Sequence, residues 1–298
     1  MSARALLALV ALAVGGAALA DDLKIVYTKR SLYRNLLVTE EADRFCLSFR
    51  LRSGEINALQ SCMYKADHDR LVFDYAKSVM AGLLLAPAPK RVLVLGLGGG
   101  SIPRVLHALN PQATIDVVEI DPAVVQVAEQ WFDFKAGAAV KVHVKDGRQF
   151  VKQAVVFGQR WDLVVLDAFN GDYIPEHLMT REFLQEVRSV LVPGGALVAN
   201  TFSTSTLYDS ESATYAAVFG GFVNLKREDG NRVIVARHGA PPTIEQLRAA
   251  SVALQPRLAR YGVDYAAVLA EARTAPDWKR NARVLTDEWN PANVMRGR

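Results

Sequence analysis

The chain has 298 residues, 51% apolar and 22% charged, the composition of an ordinary water-soluble globular protein. This excludes a disordered, collagen-like or polytopic membrane chain. Its 35 basic and 31 acidic residues leave a formal charge of +4 with no Lys or Arg stripe, so nucleic acid is not implied, and two cysteines exclude a cysteine-rich scaffold or four-cysteine zinc site. The length fits one large domain, or one domain with a smaller companion.

The first twenty residues stand apart. Met1-Ser2-Ala3-Arg4 carries one positive charge, residues 5–19 are small or apolar, and Ala18-Leu19-Ala20 is a small-x-small cleavage site followed by Asp21-Asp22. This pattern predicts a signal peptide cleaved after Ala20, and so a periplasmic or secreted protein without a membrane span after cleavage. The alternative is an uncleaved N-terminal membrane anchor.

Residues 45–52 and 56–63 read as two strands around Ser53-Gly54-Glu55. Gly54 lies midway between Cys46 and Cys62, so the register sets the two cysteines opposite each other. Directly opposed residues have Cβ atoms about 4.5–5.5 Å apart, near disulfide reach. Two buried free thiols are the alternative.

Further along, strands and helices alternate. Residues 90–95 form a short apolar strand ending in glycines, and Pro103 opens a helix through Leu109. Residues 114–120 are a second strand. Asp121-Pro122, a cap followed by proline at the first helical position, starts a helix to Phe132. Residues 140–144 and 161–166 are the third and fourth strands, and 180–191 a helix. Pro193-Gly194-Gly195 leads into a fifth strand at 196–201. Residues 222–227 and 232–237 flank Asp229-Gly230-Asn231, a hairpin signal. Residues 243–272 read as helical and the tail as irregular. The alternation predicts an α/β fold whose mostly parallel sheet carries helices on both faces and ends in an antiparallel hairpin.

Four chemical markers sit at successive strand ends, where open α/β sheets bind ligands. Gly96-Leu97-Gly98-Gly99-Gly100 lets the backbone approach a ligand beside free helix N–H groups. Glu119 can take both hydroxyls of a ribose, in NAD or in S-adenosylmethionine alike. Asp146-Gly147 can meet an adenine amino group, and Asp167 ends the fourth strand. Each acid taken singly is equally a helix N-cap. The five histidines are scattered, so no metal site is expected.

The segments VLVLGLGGGSIPR, VVEIDP, VKDGRQF, WDLVVLDAFNGDYIPEHLMT and LTDEWNP together resemble the spermidine synthase-like (polyamine aminopropyltransferase) family. LQSCMYKADHDRLVFDYAKSVMAGLLL, upstream, is similar too, so the resemblance spans about residues 25–295. After the leader at 1–20, it implies an N-terminal β-hairpin region at 21–75 and, at 76–298, a catalytic domain with the Rossmann-like methyltransferase sheet. It also implies aminopropyl transfer from decarboxylated S-adenosylmethionine to a small-molecule amine; a homodimer is left open.

Carried over residue by residue, the resemblance makes Glu119 the ribose ligand and Asp146-Gly147 the adenine pair. Asp167 becomes the candidate general base. Gln60, Gly96, Gly98 and Gly99 fall at the cofactor. The amine end departs from the family. Its loop aspartate is Gly99 here, its Y-H-E is Phe73-Asp74-Tyr75 or close to it, and its D-S-S-D is Asp167-Ala168-Phe169-Asn170. Asp172 is the candidate substitute for the second acid. Phe169 and Tyr173 are candidate cation–π partners, with packing favoured for Phe169. His177 reads as a surface histidine at a helix start, or as a second proton carrier. The alternatives are an S-adenosylmethionine-dependent methyltransferase and a non-catalytic nucleoside-binding relative. Export supports the last, because a cytosolic sulfonium donor is not expected outside; retention of Glu119, Asp146 and Asp167 opposes it.

Overall fold

The computed structural model describes residues 24–50, 56–169, 174–227 and 230–291. The leader, the 53–55 loop, Asn170, Asp172, Tyr173 and Asp229 lie outside these residues.

The chain opens on an antiparallel sheet in sequence order: β1 (Lys24–Arg30), β2 (Asn35–Glu40), β3 (Arg44–Arg50) and β4 (Ile56–Tyr64). The expected hairpin is its second half; β1 and β2 are additional. Cys46 pairs with Cys62 and the two form a disulfide, which removes the free-thiol alternative. Leu47 then pairs with Ser61, but Ser48 pairs with Leu59, so Gln60 is the extra residue of a β-bulge.

The second unit begins with α1 (Asp74–Val79), whose first turn contains the expected boundary at residue 75, and a 3-10 turn (Met80–Leu84). There follow β5 (Arg91–Leu95), α2 (Ser101–Leu109), β6 (Thr114–Glu119), α3 (Pro122–Trp131), β7 (Val140–Val144), α4 (Gly147–Val156), β8 (Trp161–Leu166) and α5 (Arg181–Ser189). The chain then forms β9 (Leu191–Phe202), α6 (Tyr208–Phe219), β10 (Val223–Lys226), β11 (Asn231–Arg237), α7 (Ile244–Leu258), α8 (Tyr265–Ala270) and β12 (Ala272–Arg273).

The eight-stranded sheet has the order β12-β10-β11-β9-β8-β5-β6-β7. β9, β8, β5, β6 and β7 are parallel, and β11 joins β9 antiparallel. Two details differ from expectation. β9 starts at Leu191 rather than 196, because Leu191 pairs with Trp161 and Ala196 with Leu163, and Pro193-Gly194-Gly195 loops out between them. Residues 243–272 hold two helices, and Ala272 leaves them to pair with Leu225 at the sheet edge.

β5 reads RVLVL because both its faces are covered. Val92 and Val94 join one core with α2, α3, α7, α8 and, from the N-terminal sheet, Leu36, Val38 and Leu47. Leu93 and Leu95 join the other core with α4, α5 and α6. The small sheet is thus fixed by shared apolar burial on one face of the large one.

Candidate active site

β5 is the point where the strand order reverses: the chain goes outward through β6 and β7, then returns to β8 on the other side. Loops diverge there, leaving a crevice at the carboxyl ends of the strands. A cavity of ≈ 340 Å³ fills it.

The glycine loop forms the floor. Gly96 has φ +100°, and a Cβ there would lie 2.2 Å from the Asp167 carbonyl oxygen. The loop after β5 therefore touches the loop after β8, which only glycine allows. Gly98 also lines the cavity, but Gly99 does not. A Cβ on Gly99 would meet Ser61 Oγ at 2.7 Å and the Phe132 ring at 3.0 Å. Gly99, expected at the cofactor, instead closes the seam between the small sheet and α3.

Glu119 ends β6. Its Oε2 accepts from the Leu97 N–H at 3.1 Å and its Oε1 from the Asp121 N–H at 2.9 Å, which aims the carboxylate across the glycine loop. Burial pushes its pKa up to about 7, against the pull of those N–H groups. Asp146 caps α4, with Oδ1 accepting from the Gln149 N–H at 2.9 Å. Its Oδ2 lies 2.9 Å from His177 Nε2. His177 is thus an exposed histidine at a short helix, as expected, and also a partner of Asp146 in the cavity wall.

Asp167 follows β8. Its Oδ1 accepts from Asn200 Nδ2 at 2.9 Å. Burial raises its pKa to about 7, and that bond only partly opposes the rise. Burial, and then the adjacent Asp167 charge, hold the Tyr75 phenol well above its ordinary value. Phe169 lines the wall and packs edge-on against Phe202, with ring centroids 5.0 Å apart.

The small sheet supplies the opposite wall. Gln60 and Ser61 both line the cavity although they are consecutive. In a regular strand they would face opposite sides; the bulge at Gln60 turns both inward. Tyr33, Arg34 and Phe49 complete this wall, with the Arg34 guanidinium 5.3 Å from the Phe49 ring centroid. Nothing in the sequence marked those three, because they reach the site only through packing of the two sheets.

The structure thus gathers Gln60, Gly96, Gly98, Glu119, Asp146, Gly147 and Asp167 around one cavity. Among the described residues, no group of three His, Cys, Asp or Glu side chains is placed to hold a metal ion. No helix among them is long and apolar enough to cross a membrane.

The spermine/spermidine synthase domain model matches residues 74–224. A polyamine aminopropyltransferase of Vibrio vulnificus is 45% identical over 275 residues, covering 91% of each chain. The chain belongs to the spermine/spermidine synthase family. A human eEF1A lysine and N-terminal methyltransferase is also similar, 35% identical over 170 residues, 51% of this chain and 24% of that protein. A probable spermidine synthase from Corynebacterium glutamicum shares the fold with a TM-score of 0.69 at 21% identity, over 89% of this chain and 98% of that one. In this family member, the methyltransferase-like sheet and the small antiparallel sheet together build the cavity.

Proposed function

We propose that the protein transfers an aminopropyl group from decarboxylated S-adenosylmethionine to a small amine. The observation that carries this reading is the convergence of Glu119, Asp146 and Asp167 on one cavity closed by Gln60 and Tyr75. Glu119 is the ribose ligand: its two backbone bonds leave carboxylate lone pairs for hydroxyl groups. Asp146, at the next strand end, meets the adenine. Asp167 and Tyr75 stand where the nucleoside's sulfur substituent meets the acceptor.

Amines are protonated at neutral pH, with a lysine-like pKa of about 10.4, and only the neutral nitrogen attacks. Its lone pair displaces the propyl carbon from sulfur. The sulfur–carbon bond breaks, its electron pair stays on sulfur, and methylthioadenosine leaves uncharged. The surplus proton on nitrogen passes to Asp167. With a pKa of about 7, that carboxylate is matched to accept a proton near neutrality. Asp172 remains the candidate second acid.

Methyl transfer from S-adenosylmethionine is the second reading. It is favoured by the name of the human relative. Separate incubation with each donor decides: methylthioadenosine and an aminopropylated product from the decarboxylated donor support the first reading. S-adenosylhomocysteine from the ordinary donor supports the second. Glu119→Ala is expected to weaken methylthioadenosine binding by roughly one to two decades, measured by calorimetry. Unchanged binding in the folded variant would remove the ribose assignment.

Export completes the proposal. The leader at 1–20 and the Cys46–Cys62 bridge both suit an oxidising compartment. N-terminal sequencing of protein from a periplasmic fraction is expected to begin at Asp21; Met1 would favour the anchor.

A further inference from the structure

The C-terminal LTDEWNP segment lines no part of the cavity, yet its side chains converge on the turn that does. Asp287 binds Arg148, which lies two residues after Asp146 on the first turn of α4. Arg148 is 8% exposed, and all five of its guanidinium N–H groups have acceptors. Two reach Asp287 at 2.6 and 2.7 Å, and two reach Glu186 on α5 at 3.1 and 3.2 Å. The fifth donates to the His177 carbonyl at 3.3 Å. Thr180 Oγ1 donates to Asp287 at 2.7 Å, and Asn290 Nδ2 donates to the Glu176 carbonyl at 2.8 Å.

His177 is therefore held from both ends of its own structure. Its backbone hangs from Arg148 and its side chain from Asp146, both at the start of one helix. A bidentate guanidinium–carboxylate pair fixes direction as well as distance. Asp287 sets Arg148, Arg148 and Asn290 set the 176–178 turn, and the turn sets the ring that rests on Asp146 Oδ2.

We propose that Arg148 and Asp287 are positioning residues for the nucleoside end of the site, fixing the 175–178 turn and through His177 the aim of the Asp146 carboxylate. This rests on the reading of the cavity as an adenosyl nucleoside site. The ion pair does more than join the C-terminal segment to the sheet. A purely stabilising pair needs no bond to the one turn that shares its residues Pro175, His177 and Leu178 with the cavity wall.

The test is methylthioadenosine binding to the full chain, measured by calorimetry at a temperature where every variant is folded. Asp287→Asn is expected to weaken binding about ten-fold. Asn290→Ala, which removes the tie to Glu176, is expected to weaken it about three-fold and decides the matter if the first variant fails to fold. Ser212→Ala, a buried hydroxyl under α6 bonded to Arg232, is expected to lower the melting temperature without changing affinity. Wild-type affinity in Asp287→Asn, or in Asn290→Ala if Asp287→Asn does not fold, overturns the proposal. So does an equal loss in Ser212→Ala. If those results come with a weakened Glu119→Ala, only the positioning role falls. If the wild type binds no methylthioadenosine, the nucleoside reading falls and this role with it.

Discussion

The polar pocket beneath α6 and the cavity at the end of β8 each bury a carboxylate, and they treat it in opposite ways. Under α6, Glu211 pairs with Arg232, whose side chain is 0% exposed. Arg232 also donates to Thr201 Oγ1 at 2.7 Å and Ser212 Oγ at 2.6 Å, and lies 4.4 Å from the Tyr208 ring centroid. Among the described residues, Asp167 has one neutral donor, the Asn200 amide. Asn200 and Thr201 are neighbours on β9 and face opposite sides of the sheet, so one strand serves both acids. A buried acid matched to a guanidinium belongs to the scaffold. On the proposed function, one with a single amide donor among the described residues, beside a cavity, is held ready to exchange a proton.

Asp167→Asn tests this contrast most severely. Turnover is expected to fall about 10²–10⁴-fold while methylthioadenosine affinity holds and the melting temperature does not fall. A loss of stability with unchanged turnover would make Asp167 a second Glu211. Arg232→Met probes the other side: it strands Glu211 without its cation and is expected to cost about 3–5 kcal/mol in urea unfolding. Adding Glu211→Leu is expected to restore much of that loss. If Arg232→Met instead leaves stability intact and abolishes nucleoside binding, the two regions have been assigned the wrong way round.

The smallest effect is a slope. Burial lifts Asp167 from 3.8 and Glu119 from 4.5, each to about 7, so the folded state holds their protons where the unfolded chain has lost them. The sign follows: these two groups make stability fall as pH rises from about 4 to about 7, by at most about 1.4 kcal/mol per pH unit each, and flatten above. Asp167→Asn is expected to remove its share of the slope in urea titrations across that range. On the proposed function, the same carboxylate is expected to make kcat/KM rise with pH through about 7.

The parallel strands were legible because their apolar runs are short, buried on both faces and closed by glycines or acids. The strand ends were legible for the same reason, and with them Glu119, Asp146 and Asp167. Residues without a local signature were not. α6 went unread because the face it buries includes Glu211, Ser212 and Thr214, polar groups that make sense only beside Arg232. The Pro193-Gly194-Gly195 stretch reads as a turn, and only pairing with β8 shows it to be a loop inside a strand. His177 is the surface residue it looked like, but its bond to Asp146 was not legible, because the two lie 31 positions apart. Gly99 was placed at the ligand by its motif, whereas Ser61 and Phe132 fill the space where a side chain would go.

A bulge is able to migrate along a hairpin, since shifting one pairing moves the unpaired residue by one place. Each such step here would exchange Gln60 for a neighbour and swing a different side chain into the cavity wall. The Cys46–Cys62 pair sits one rung beyond Leu47–Ser61, on the side away from the hairpin loop. A covalent rung cannot re-register, so the bridge acts as a stop that keeps the irregularity at Gln60. Its service to the site is to fix which residue is odd one out; reduction would turn one defined wall into a set of neighbouring alignments.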